Sequence, residues 1–263
     1  MPRKAKLLFD NRVCLAVNEP DLPKVQAAAR DFRSCTKVVK LGPAVATAHG
    51  PTAIRSMHEL GAAEIILDVR LCGHAREVWN AVTEAARLWV SGITVQACVG
   101  PDVLAAAVEA AENSTTITHK VKAPAIIATL LPVAVTDDVM RGPLAMRYGR
   151  RRYVGEIAKM CCNAGVNGLQ VDYYDIRPIR QVCKNIPLVA SAKRGVRNYA
   201  EVITDEQQKL PGVTEVLRAG AAHVLFPAEL ATTDYEWTAD LLAKEVSQWA
   251  DGRRKKTGRA SFT

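Results

Sequence analysis

Two hydrophobic periods alternate along this chain. Short β-rich runs occupy 12–17, 36–41, 64–68, 93–97, 124–130, 167–171, 187–190 and 222–226. Each is followed by an apolar stripe at helical spacing, over 21–32, 51–60, 74–90, 101–112, 153–164, 175–184, 213–219 and 236–249. In 74–90, Val78, Val82, Ala85 and Trp89 recur at intervals of three and four, which leaves Arg76, Glu77 and Glu84 on the opposite face. Strands alternating with helices require parallel pairing through right-handed crossovers, and eight such units suit a closed (β/α)8 TIM barrel. A doubly wound open sheet is the alternative. It would place a glycine-rich phosphate loop after the first strand, where this chain reads VNEPD.

An apolar content of 49% can build one large core, and the pattern places a single domain at 12–250. Residues 1–11 are expected to form a basic N-terminal extension and 251–263 a basic tail carrying Arg253, Arg254, Lys255, Lys256 and Arg259. With the loop RYGRRR at 147–152, these segments hold much of a net charge of +8. Such clusters suit either solvated surface or contact with nucleic acid. The seven cysteines include no CxxC pair, and most lie in apolar runs. A reducing, intracellular compartment is the expectation, the cytoplasm first, with an organelle matrix left open. No run is long enough for a membrane span.

A barrel displays its chemistry at the carboxyl ends of its strands. Here those ends offer Asn18, Lys40, Asp68 with Arg70, Gln96 with Cys98, Asp172, and then Lys193, Arg194 and Arg197. The segment EIILDVRLCGH at 64–74 is the densest of them, a hydrophobic run ending in an acid with a fixed cation two positions on. Lys40, Asp68 and Arg70 form a cation, anion, cation set that is costly to desolvate for stability alone. A plain salt bridge between Arg70 and Asp68 is the simpler reading.

These residues resemble the orotidine 5′-monophosphate decarboxylase family over roughly 12–248. LAVNEPD resembles its first strand and turn, and VKLGPAVATAHGP its second strand with a lysine. ILDVRLCGHAREVWNAV resembles the stretch carrying Asp-x-Lys-x-x-Asp, while RGVR and DEQQKLPGVTEVLRAGAAHVLF resemble the seventh-strand loop and eighth strand. The resemblance implies that Lys40 and Asp68 match two members of a catalytic charge tetrad, and that Arg197 and Gln207 lie on the phosphate side of a nucleotide.

The departures fall on the same positions. Arg70 stands where the family has its proton-donating lysine, and Gly73 where it has a second aspartate that reaches the partner subunit. Phe226-Pro227-Ala228 replaces a phosphate-gripping Gly-Arg, Asn18 an aspartate at the ribose, Pro132 and Val133 hydroxyl side chains, and Glu77 a further hydroxyl. Lys193 and Arg194 are candidates to supply the lost phosphate cation. The family's metal-dependent branch has a glutamate where Lys40 stands, so neither a metal nor another cofactor is expected.

Three functions follow as expectations. The first is a barrel that has lost decarboxylase activity and serves as a structural or assembly subunit or as an anion-binding protein. The second is an active lyase on orotidine monophosphate or another phosphorylated small molecule. The third is a sensor for a nucleotide or phosphosugar. The resemblance further implies a homodimer, with membership of a larger assembly also open. Whether the mouth is open, or plugged by Arg70, Glu77 and Phe226, separates these readings.

Overall fold

The computed structural model describes residues 8–117, 122–132, 134–192, 211–228 and 235–256. Its strands are β1 (Val13–Val17), β2 (Val38–Leu41), β3 (Glu64–Leu71), β4 (Gly92–Gln96), β5 (Ala125–Thr129), β6 (Gly168–Val171), β7 (Leu188–Ser191) and β8 (His223–Pro227). All pair in parallel with their sequence neighbours, and β8 closes on β1 through Val13–Val224 and Leu15–Phe226. The expected barrel is therefore present, and the open sheet is not.

The registers divide each strand into an axial and an outer set. Cys14, Val38, Ile66, Ile127, Val189 and Leu225 face the axis and form one apolar layer with Phe9. The larger core lies outside the strands, where their alternate residues meet the helices. Phe226 belongs to that outer set and packs on Phe32 with ring centroids 5.8 Å apart.

The amino end of the barrel is closed by residues 8–11, so these are integral to the fold rather than part of a loose extension. Phe9 is buried beneath the strands. A Cβ added to Gly92 would lie 3.1 Å from its ring, and one added to Gly168 would lie 2.6 Å from Leu8. Glycine at these two strand starts makes room for the plug. His223 holds it in place. Its Nε2 accepts from Leu8 N at 2.9 Å and its Nδ1 faces Asn11 O at 2.9 Å. Burial pushes the ring pKa down to about 4, which keeps the imidazole neutral and Nε2 free to accept.

The helices follow the predicted stripes with local adjustments. Asp21 caps Leu22–Asp31 by accepting from Lys24 N. Proline starts both Pro43–His49, which the stripes did not predict, and Pro51–Glu59. Ala75–Arg87 buries Val78, Val82 and Ala85 as expected, whereas Trp89, placed on the same stripe, lies past the end of the helix and is exposed. Helix Arg150–Asn163 takes in half of the basic run that was read as a loop, and Tyr235–Lys256 continues past residue 250, where the barrel was expected to end.

Candidate functional site

At the carboxyl end the axial positions turn from apolar to polar. The strands β2 to β7 deliver Lys40, Asp68, Thr94 with Gln96, Thr129, Gln170 and Ser191, whereas β8 and β1 deliver Pro227 and Ala16. A polar crown thus spans three-quarters of the rim.

On the β2–β4 side Lys40, Asp68 and Thr94 are all partnered. Lys40 and Asp68, 6% and 2% exposed, form a buried ion pair. Thr94 donates its hydroxyl to Asp68 Oδ1 at 2.8 Å and accepts from the Arg70 backbone N–H at 2.8 Å. That second bond fixes an irregularity in β3. The pairing with β4 shifts register between Leu67 and Leu71, and Arg70 is held at φ 45°, a left-handed conformation that side chains disfavour. The strand therefore extends past Asp68, where sequence placed its end, and returns Arg70 Nε to 3.5 Å from Asp68 Oδ1. The Arg70 side chain remains 46% exposed. The expected salt bridge exists, yet it leaves much of the guanidinium facing outward.

Burial and the attraction of its neighbours compete at each member of this cluster. At Asp68 burial would raise the pKa, but Lys40, the Thr94 hydroxyl and Arg70 together hold it below the usual carboxylate range. At Lys40 burial prevails and the pKa falls, because its single anion is shared with the second cation, Arg70.

The β5–β7 side differs. A cavity of about 200 Å³ opens among Arg70, Thr129, Pro132, Gln170, Asp172 and Ser191. Two of its buried atoms, Thr129 Oγ1 and Gln170 Oε1, have no hydrogen-bond partner among the described residues. Thr129 and Gln170 are register partners on adjacent strands, so both project into the same opening. Asp172 accepts from Tyr174 N at 3.2 Å and so shapes the turn after β6.

Arg150 builds the outer wall. It donates to Leu131 O, Pro132 O and Val135 O at 3.1, 2.7 and 2.9 Å and pairs in bidentate fashion with Asp175. Burial raises the Asp175 pKa, with the Arg150 guanidinium opposing the shift. One arginine of the basic run is thus a structural tie. Of the others, Arg147 and Arg152 stack on Tyr148, with guanidinium carbons 5.5 and 3.8 Å from the ring centroid.

Several departures acquire structural reasons. Asn18 Oδ1 accepts from Ala44 N at 2.9 Å and so serves the start of helix Pro43–His49. Glu77 accepts from His74 N at 2.9 Å and caps Ala75–Arg87. A Cβ at Gly73 would lie 2.5 Å from Glu77 Oε2, so the missing carboxylate and the gained glutamate occupy one space. Neither Glu77 nor Phe226 plugs the mouth. Lys193, Arg194, Arg197 and Gln207, with Val133, lie outside the described residues.

Lys40, Asp68 and Arg70 are brought together as the sequence predicted. Thr94, Thr129, Gln170 and Arg150 were not singled out. The first three lie at axial positions near strand ends, and that periodicity was available in the sequence; nothing local distinguished Arg150 from its neighbours. Among the described residues no three His, Cys, Asp or Glu side chains gather to hold a metal, and Lys40 places a cation where the crown would need a ligand.

Closed parallel barrels with charged side chains at the carboxyl rim form a class of fold that hosts many chemistries. The match to the model of the Orotidine 5'-phosphate decarboxylase / HUMPS family spans residues 11–223, and the chain belongs to that family. It is 23% identical over 238 residues to the orotidine 5'-phosphate decarboxylase of Trichlorobacter lovleyi, covering 90% of this chain and 95% of that one. It is 25% identical to the enzyme of the same name from Geobacter sp. strain M21, covering 84% and 89%. Among solved structures, orotidine 5'-phosphate decarboxylase from Lactobacillus acidophilus aligns over 90% of this chain and 99% of its own with a TM-score of 0.75 at 18% identity. An uncharacterised conserved protein from Geobacillus kaustophilus aligns with a TM-score of 0.74, also at 18% identity, covering 89% and 99%.

Proposed function

We propose that this barrel is a binding protein that takes a small polar, anionic ligand at its mouth and has lost decarboxylase turnover. The observation that carries this reading is the pair of unpartnered buried atoms, Thr129 Oγ1 and Gln170 Oε1, facing a cavity that Arg70 also lines. A buried polar atom without a partner costs about 1–3 kcal/mol, and a ligand hydrogen-bonding to both would recover that cost. Arg70 adds a fixed positive charge and a planar donor fork suited to a carboxylate or phosphate.

The loss of turnover follows from the acid chemistry. A guanidinium keeps its protons up to a pKa above about 12 and is a poor general acid near neutrality. Lys40, the remaining amine of the set, is engaged beneath Asp68. At β8, Pro227 lacks an N–H and Ala228 lacks a charge, so those two residues bring neither a backbone donor nor a cation to a phosphate.

The test has two arms. Orotidine monophosphate absorbance at high protein concentration is expected to stay constant. Thermal-shift measurements with uridine monophosphate, orotate and inorganic phosphate are expected to raise Tm for at least one, since a ligand at about 100 times its Kd contributes about 2.7 kcal/mol. Turnover abolished by Lys40→Ala and by Asp68→Ala establishes the active lyase instead. No turnover together with no shift favours the assembly subunit.

A second reading, contact with an anionic polymer, has one specific observation in its favour. Arg141, Arg151 and Arg152 line an open groove of about 420 Å³, and none is ion-paired with a described residue. Single-stranded RNA binding that weakens steeply with salt, and further in the triple arginine-to-alanine variant, would support it.

A further inference from the structure

Two helices flanking β6 are tied together at both ends. At the mouth end, Arg150 opens helix Arg150–Asn163 and pairs with Asp175, the residue before helix Ile176–Val182. At the opposite end, Cys162 lies in the last turn of the first helix and Cys183 closes the second. Their Sγ atoms are 3.0 Å apart although both are free thiols.

The backbone that carries Cys183 is held from several directions. The Arg180 guanidinium donates to Cys183 O at 3.2 Å, Ile186 O at 2.7 Å and Gly220 O at 2.9 Å. The Arg150–Asp175 pair links the helices and the Arg180 bonds fix the Cys183 backbone, neither through sulfur, and closing the gap to a bond of about 2.05 Å asks for a small side-chain movement.

We propose that Cys162 and Cys183 form a reversible redox couple that staples these helices under oxidising conditions and stands open under reducing ones. The oxidant is a small-molecule disulfide. Cys162, the more accessible of the two, loses a proton and its sulfur attacks one sulfur of the oxidant, expelling a thiolate. Cys183 loses its proton and attacks the Cys162 sulfur of that mixed disulfide, expelling the second thiolate. Two electrons and two protons pass from the cysteines to two released thiols.

Burial, and then the neighbouring Cys183 thiol, push the Cys162 pKa up to about 12, so little thiolate is present near neutrality. The couple therefore responds to a sustained change of redox poise rather than to a brief pulse. Cys161, next in sequence, is fully buried. It points about 100° away around the helix and is not the partner.

The experiment equilibrates the full chain with oxidised glutathione for hours and maps tryptic peptides without reduction. Cleavage after Lys159, Arg180 and Lys184 separates Cys161 and Cys162 from Cys183. The expected result is a cross-linked peptide pair two hydrogens lighter than its parts, retained in Cys161→Ser and absent from Cys162→Ser and Cys183→Ser. Its formation should raise Tm by about 5–10 °C, reversibly with dithiothreitol. Free thiols or stable glutathione adducts at equilibrium would overturn the proposal. So would a cross-link that persists in Cys162→Ser, or one that leaves Tm unchanged.

Discussion

The two halves of the barrel rim are both polar and end in opposite states. On the β2–β4 side, Lys40, Asp68 and Thr94 satisfy one another beneath Arg70. On the β5–β7 side, Thr129 and Gln170 present bare polar atoms to a cavity. The difference shows that a retained catalytic-looking charge can serve structure, while unremarked hydroxyl and amide groups mark the place with room for a ligand. Arg70 belongs to both halves, since it pairs with Asp68 and lines the cavity.

The strongest way to break this contrast is Asp68→Ala. It strands the buried Lys40 ammonium and should cost about 3–5 kcal/mol in urea unfolding. A loss below 1 kcal/mol would show that the pair is solvated and available for chemistry. Acidification gives the next largest effect, and it acts at the far end of the barrel. The His223 pKa is depressed from 6.5 to about 4 in the fold, so the unfolded chain binds the extra proton first. Its stabilisation is full above pH 6.5 and declines as pH falls from there to about 4, by about 1.4 kcal/mol per pH unit within the window. His223→Gln should flatten that slope if the plug is what the ring holds.

The unsatisfied side should respond in the reverse sense. Thr129→Val removes a hydroxyl without a partner and is expected to raise stability by about 1 kcal/mol while weakening any ligand-induced shift. A destabilisation of similar size would mean that the hydroxyl is already satisfied. Gly73→Asp is expected to cost about 1 kcal/mol, because the new side chain displaces the Glu77 cap and sets two carboxylates together. If Gly73→Asp is neutral in thermal melts, the coupling between residues 73 and 77 fails.

Much of this fold was legible as period. Eight β-rich runs with eight helical stripes required a parallel sheet with crossovers, and the polar residues at strand ends located the mouth. Helix Pro43–His49 escaped because it is a short segment beginning at a Gly-Pro pair. The shift in β3 escaped because bulges follow from cross-strand bonds, here Thr94 to the Arg70 N–H, and those have no local signature. The plug at residues 8–11 escaped because its partner, His223, lies more than two hundred residues away.

The sequence alone therefore determined the barrel through its local periods, the family through the motifs that resemble it, and the grouping of Lys40 with Asp68 and Arg70 through their places at the carboxyl ends of adjacent strands. Only the tertiary structure decided which of those groups satisfy one another and which face space. Hydrogen-bond partnership depends on the distance between atoms of different strands, and that distance exists only once the sheet has closed.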